Sequence, residues 1–334
     1  MKISASIYSS SNDNLTDIVQ LLDAHGVEKL HVDCNDNPSV FDDIARIRTV
    51  SSTPLDVHII SDTPEKYFDA IVQHRPEFVA FQYENLPPNF VFPPLPCALG
   101  LALTSDTPIE VFEKFAAQCQ FVLIMTTTPG QSGGVFNQQN FQKIRAFRKA
   151  FPMHQIEVDG GVNDEISFIL RNLQVESAVV GSYLFKGNWL GNQLLSIRQR
   201  STGSGIPIGH FMMPLSDVPT LSLENISFEK ILTTIDNFKM GVVCLTDTEQ
   251  NLLGIVTNAD IRKGLIRHIG NLDSIRPEEL INAQPITLKT ENTVHELLQL
   301  VHQLSFPLLF LPIVDEKNRL CGALTFNQLI QSES

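Results

Sequence analysis

Cysteine is scarce in this chain and shows no pattern. Five occur in 334 residues (Cys34, Cys97, Cys119, Cys244 and Cys321), an odd number with no C-x-x-C pair, which argues against a disulfide framework or a zinc ribbon and suits a reducing, cytoplasmic compartment. Positive charge is also short, since 24 Lys and Arg face 37 Asp and Glu for a formal net charge of -13. Nucleic acid and anionic membranes both demand clustered cations, so neither is an expected partner. Long hydrophobic runs are missing as well. Met1 to Ser10 has no basic start followed by an apolar stretch, and the longest apolar run, near Phe306 to Val314, is too short to cross a bilayer.

What remains is a globular composition, 43% hydrophobic and 18% charged, able to bury a large core. Single cores stop growing near ~250 to 300 residues, so two domains are expected. Eight β-branched runs alternate with amphipathic stretches in the first part: Ile3–Ile7, Lys29–Asp33, Leu55–Ile60, Phe78–Gln82, Leu99–Leu103, Phe121–Met125, Gln155–Val158 and Ala178–Gly181. That rhythm predicts parallel strands joined by crossover helices, and eight such units in about 200 residues predict a (β/α)8 TIM barrel with reactive groups at the C-terminal strand ends. Asn14 is placed to cap a helix that Gly26 ends, and Thr63-Pro64 to start another that stops near Pro76. Between Glu84 and Leu99 stand five prolines, so the fourth helix should be missing or replaced by a loop.

After Ser201-Thr-Gly-Ser-Gly-Ile-Pro, a stretch of turn formers that reads as a linker, the pattern changes, with a second domain expected from about residue 210 to 334. Within it, DTEQNLLGIVTNADI from Asp247 recurs as DEKNRLCGALTFNQLI from Asp315, with Gly254 and Gly322 marking an offset of 68. Each copy reads as helix, strand, turn, strand, helix, an α+β module whose two copies bury each other's sheets.

Two histidines and two aspartates fall at strand ends: His31 and Asp33 in LHVDCND, His58 in LDVHII, and Asp159 in IEVDGGV. Alternate residues of a strand face one side, so these groups can converge at the barrel axis. Their mixed N/O donor set suits a divalent transition metal such as Zn2+, Fe2+, Mn2+ or Co2+. Glycines crowd the three neighbouring loops that follow strands six to eight: Gly130, Gly133 and Gly134, then Gly160 and Gly161, then Gly181 with Ser182. Backbone amides exposed there make a phosphate cradle.

Taken in order, MKISASIYSS, LHVDCND, LDVHII, VLIMTTTPGQSGGVF, IEVDGGVN and AVVGSYLF resemble the successive motifs of the ribulose-phosphate 3-epimerase family over about residues 1 to 200. The resemblance implies metal-dependent epimerisation of a ketose phosphate, with His31, Asp33, His58 and Asp159 as metal ligands. It makes Asp33 and Asp159 the acid and base and gives Ser6 a substrate contact. Departures from the family pattern are also present. Of the methionines usual around the reacting centre, Met125 remains while Asn35 and Ile60 replace two others. The loop after strand two is short, the strand-four motif reads FQYEN where a histidine is usual before the glutamate, and PGQSGG replaces PGFGGQ. These leave the particular sugar phosphate open. A non-catalytic sugar-phosphate or nucleotide sensor is the alternative, whereas a decarboxylase or aldolase would need a strand-end lysine, and Lys29 precedes its strand end.

The C-terminal repeat resembles a pair of CBS domains, a module that implies regulation by an adenosine nucleotide such as AMP or ATP. In GIVTNAD the resemblance assigns Thr257 to phosphate and Asp260 to ribose; the second copy keeps Thr325 but has Gln328 in place of the acid. A helix N-cap explains Thr257 and Asp260 equally well, leaving a module that only dimerises the chain. A homo-oligomer is the expected state.

Overall fold

A computed structural model describes the chain except residues 11–13, 132, 187–188, 199–204, 305, 307 and 326–334. It divides into two compact units, Met1–Thr202 and Gly203–Ile330.

The first unit is a closed barrel of eight parallel strands in sequence order: β1 Lys2–Ser6, β2 Lys29–Asn35, β3 Leu55–Ile60, β4 Phe78–Gln82, β5 Ala98–Leu103, β6 Phe121–Met125, β7 Gln155–Asp159 and β8 Ser177–Val180. Closure is made by β1 on β8, with Lys2 opposite Ser177. The strands are buried on both faces, as parallel sheets covered by crossover segments must be. Inside, large and small side chains alternate across neighbours: Phe121 of β6 lies opposite Gly100 of β5, where a Cβ would fall 2.3 Å from the Phe121 ring.

The helices are α1 Leu15–Ala24, α2 Val40–Ile47, α3 Phe68–His74, α4 Asn140–Ala150, α5 Asp164–Asn172 and α6 Leu190–Arg198. Asn14 caps α1 by accepting from Thr16 N, and a 3-10 turn, Pro64–Tyr67, leads from Thr63 into α3. The proline-rich segment carries only a 3-10 turn at Tyr83–Asn85. Phenylalanines take over the covering role of the absent helix. Phe92 is 3% exposed and its ring lies 5.1 Å from Phe81, 5.1 Å from Phe90 and 5.7 Å from Phe115. The crossover from β5 to β6 likewise holds a 3-10 helix, Ile109–Lys114, in place of an α-helix.

The second unit is built on two hairpins. In the first, β11 Val242–Thr246 pairs antiparallel with β12 Leu252–Thr257; in the second, β14 Phe310–Val314 pairs with β15 Leu320–Thr325. Both hairpins turn the same way, because Asp247 accepts from the backbone of Glu249 and Asn251 and Asp315 does so from Lys317 and Arg319. Both have a register shift next to the turn. Short edge strands complete the sheets: β10 Thr220–Ser222 beside β11, and β13 Leu288–Lys289 and β9 Met213–Pro214 flanking the second hairpin. The helices are α7 Phe228–Phe238, α8 Asn258–Arg267 and α9 Val294–Gln303. One apolar cluster joins residues of both hairpins, among them Cys244, Leu252, Phe310 and Leu320. The linker residues 201–204 and Gln328 lie outside the described residues. Packed structure begins a few residues before His210, since Ile206 and Ile208 are buried and Val294 N donates to Ile206 O.

Candidate active site

Strand alternation builds the site. On β2, His31, Asp33 and Asn35 point to one side, and β3 places His58 opposite Asp33 in the register. On the other side of the barrel, β6 and β7 set Met125 opposite Asp159. His31, Asp33, His58 and Asp159 each offer one ligand atom, and the four atoms lie within 4.8 Å of one another. His31 Nε2 is 3.3 Å from Asp33 Oδ1 and 3.9 Å from Asp159 Oδ2, while His58 Nδ1 is 3.5 Å from Asp33 Oδ1. Both imidazoles are fully buried. Their remaining nitrogens have acceptors: Asp56 Oδ2 at 3.1 Å from His31 Nδ1, and Gln82 Oε1 at 2.9 Å from His58 Nε2. Holding the far nitrogen in this way aims the near one, as in metal centres generally.

Above these four groups opens a cavity of about 560 Å³. Asp33 and Asp159 reach it, with Ser6 and Met125 beside them. Gly130, Gly133, Gly134, Gly160, Gly161, Gly181 and Ser182 also line it. Most of the glycines there are a steric requirement at close approaches to neighbouring loops. Gly161 has φ +63°, and a Cβ on it would fall 2.2 Å from Phe136 N. Thr126 ties two of these loops together by donating from Oγ1 to Asp159 O at 2.9 Å. Asn35 Nδ2 donates to Gly130 O at 3.3 Å, so the amide standing at a usual methionine position fastens the glycine-rich loop. Ile60 ends β3 half-buried and does not line the cavity.

The two aspartates sit in unequal fields. Burial disfavours the Asp33 charge, but His31 beside it, through its charge and its hydrogen bond, outweighs burial and holds the Asp33 carboxyl well below the ordinary range. Burial dominates at Asp159, raising it to about 6 against the opposing pull of His31. At His31, burial works against protonation, and Asp56 and Asp33 overcome it to hold the ring above its usual value. Asp33 is therefore the more readily ionised of the two carboxyls.

Several contributors escaped sequence reasoning. A second polar layer lies under the first: Asp56 also accepts from Ser4 Oγ at 2.8 Å, and Lys29 is 2% exposed, ion-paired with fully buried Glu157. Lys29 Nζ lies 3.6 Å above the Phe78 ring and does not line the cavity, whereas Lys186 and Tyr8 do. The signal was available. Lys29, Asp56 and Glu157 each stand two residues before a predicted ligand, on the same face one layer deeper.

In the second unit, Thr257 Oγ1 donates to Asp260 Oδ2 at 2.6 Å and accepts from Asp260 N at 3.3 Å, while Thr257 N donates to Asp260 Oδ2 at 3.1 Å. The pair forms a reciprocal N-terminal cap on α8.

The first unit is thus a closed (β/α)8 barrel with a His/Asp donor set and glycine-rich loops at the C-terminal ends of its strands, where enzymes of this fold carry their sites. Comparison with known proteins gives the family. The profile of the Ribulose-phosphate 3 epimerase family matches residues 2–185, and the chain belongs to that family and is a carbohydrate-phosphate epimerase. A CBS-domain profile matches residues 278–333. The ribulose-phosphate 3-epimerase of Schizosaccharomyces pombe is 28% identical over 175 residues, 48% of this chain and 77% of that protein. The cytoplasmic isoform of the enzyme from Oryza sativa is 27% identical over 217 residues, 61% of this chain and 95% of the rice protein. Among solved structures, the CBS-pair protein CBSX2 from Arabidopsis thaliana is 20% identical, with 39% of this chain and 95% of that chain covered at a TM-score of 0.33.

Proposed function

We propose that the barrel epimerises a ketose phosphate at the carbon beside its carbonyl, with Asp33 and Asp159 exchanging the proton and the glycine loops holding the phosphate. The observation that carries this reading is the convergence of the four donor atoms within 4.8 Å beneath a cavity that two of them enter. The donors fit a divalent transition ion on their own chemistry: His58 Nδ1 is buried without a hydrogen-bond partner, and the two imidazoles and two carboxylates make a mixed N/O set. His31, Asp33, His58 and Asp159 would hold the ion. Bound there, it would supply electrostatic stabilisation for negative charge growing on the substrate oxygens.

The chain's own residues do the rest. Asp33, ionised across the neutral range, takes the proton from carbon, and the electron pair of that C–H bond moves toward the carbonyl oxygen. Asp159 returns a proton from its carboxyl to the same carbon. The two arrive from β2 and β7, apart around the closed barrel, so they can address different faces of a carbon between them, and delivery to the second face inverts the centre. Ser6 and the amides of the Gly160-Gly161 and Gly181-Ser182 loops orient the phosphorylated end. Met125, 1% exposed, keeps water from one side of the reacting carbon.

A panel of ketose phosphates in deuterated water, run with metal analysis of the purified protein, tests the reading. About one transition ion per chain and deuterium incorporation at one carbon of a panel member are expected. In Asp33→Asn and Asp159→Asn, epimerisation should fall at least about 10²-fold with the fold intact. Absence of metal and of exchange across the panel would leave the barrel a binding module.

The CBS pair we assign to regulation or dimerisation of the barrel. Thr257 and Asp260 cap α8 through Asp260 Oδ2, which leaves Asp260 Oδ1 as the acceptor that a nucleotide ribose would use in the first case. AMP or ATP changing the exchange rate would support regulation; an unchanged rate with a concentration-dependent mass would support dimerisation.

A further inference from the structure

Asp33 Oδ1 lies 3.5 Å from the buried, unpartnered His58 Nδ1. A bare lone pair there is repelled by the carboxylate, and an N–H would be attracted to it, so the ring's tautomer decides whether these atoms oppose each other or pair. The opposite edge of the ring makes that choice. His58 Nε2 is 2.9 Å from Gln82 Oε1. An amide can turn either its oxygen or its NH2 toward a neighbour, and here Glu84 settles which. Its carboxylate can only accept, so it takes the Gln82 NH2, which also reaches Ala102 O at 3.4 Å. Glu84 is fixed in turn by Thr104 N and Thr104 Oγ1, each at 3.0 Å, and by the Thr107 hydroxyl. These bonds outweigh burial and hold its carboxyl below the ordinary range.

Gln82 therefore presents oxygen to His58, and that oxygen calls for an N–H at Nε2. A neutral imidazole carries only one N–H. Nδ1 is left as a lone pair facing Asp33, an arrangement that a shared cation makes favourable. We propose that Gln82, oriented by Glu84, is a positioning residue that fixes the Nε2–H tautomer of His58 and so sets the affinity of the site for a divalent transition ion. The proposal rests on the metal reading above. Gln82 is 2% exposed and does not line the cavity, so its action runs through His58 and not through contact with substrate.

Cobalt(II) titration of the full chain, stripped of metal by chelator and followed by visible absorption, tests it without reference to turnover. In Gln82→Leu, Co2+ affinity should fall about 10- to 100-fold with a changed absorption band, the usual scale of an outer-shell loss. Gln82→His, whose ring can offer a lone pair to the same N–H, should stay within about fivefold of the unaltered protein. Glu84→Gln frees the amide to turn and should give an intermediate loss that disappears when combined with Gln82→Leu, as coupled residues require. Unaltered Co2+ binding and spectrum in Gln82→Leu would overturn the proposal, as would simple addition of the Gln82→Leu and Glu84→Gln losses. Should Gln82→Leu fail to fold by circular dichroism, unchanged binding in Glu84→Gln overturns it alone. Failure of the unaltered protein to bind Co2+ is a separate result, which removes the metal reading and this proposal together.

Discussion

Lys29 and Glu157 form a buried ion pair inside the barrel. Burial and the Asp56 charge push Glu157 upward, so Lys29 is what makes its ionised form tolerable. Lys29→Ala should cost about 3–5 kcal/mol in urea denaturation, the usual result of leaving one buried charge unpaired. The double variant with Glu157→Gln should recover part of that. At Gly161 the demand is spatial, because φ +63° and a Cβ 2.2 Å from Phe136 N leave alanine no room. Gly161→Ala should move the loop and raise KM for a phosphorylated substrate more than it lowers kcat, a split that steady-state kinetics reads directly. At this scale, His31, Asp33, His58 and Asp159 were legible because ligand-type residues at strand ends are visible in one dimension. Asp56, Gln82 and Glu157 were less so, since a polar residue inside a strand declares its partner only when the register is known.

The hairpins of the second unit show what repetition preserves. Gly254 and Gly322 recur at the same place because another backbone crosses there: a Cβ would lie 2.7 Å from Asn282 O in one copy and 2.3 Å from Met213 O in the other. Gln250 and Asn318 also correspond, both left-handed at φ +67° and +64°. Asparagine adopts that conformation at lower cost than glutamine. Gln250→Gly should therefore stabilise the hairpin by about 0.5–1 kcal/mol, measurable as a raised melting temperature, whereas Asn318→Gly should change little. The cap at Thr257 gives a prediction of opposite sign: Thr257→Val should destabilise by about 1 kcal/mol. Strand periodicity and proline content made the barrel's strands and its missing fourth helix readable. The 3-10 helix Ile109–Lys114 was not read, because its apolar spacing also fits one short α-helical turn and tertiary packing decides between them.

As a whole, the molecule joins a unit with a proposed ion to one without such a cluster among its described residues. Heating in the presence of chelator should separate them. An ion present at about a thousand times its Kd adds roughly 4 kcal/mol, so its removal should lower the barrel's transition by roughly 10 °C. The transition of the second unit should stay where it was, as differential scanning calorimetry would show. The barrel's order of assembly follows from its closure. Lys2 pairs with Ser177, so the earliest strand to leave the ribosome waits for the last, and contacts this distant in sequence form slowly. Asp159 completes a site begun at His31. On the proposed metal reading, a nascent chain that has synthesised only the two histidines would have no complete donor set; charging with the ion would wait for β7, near the middle of the chain, and chains cut short before it would lack the site.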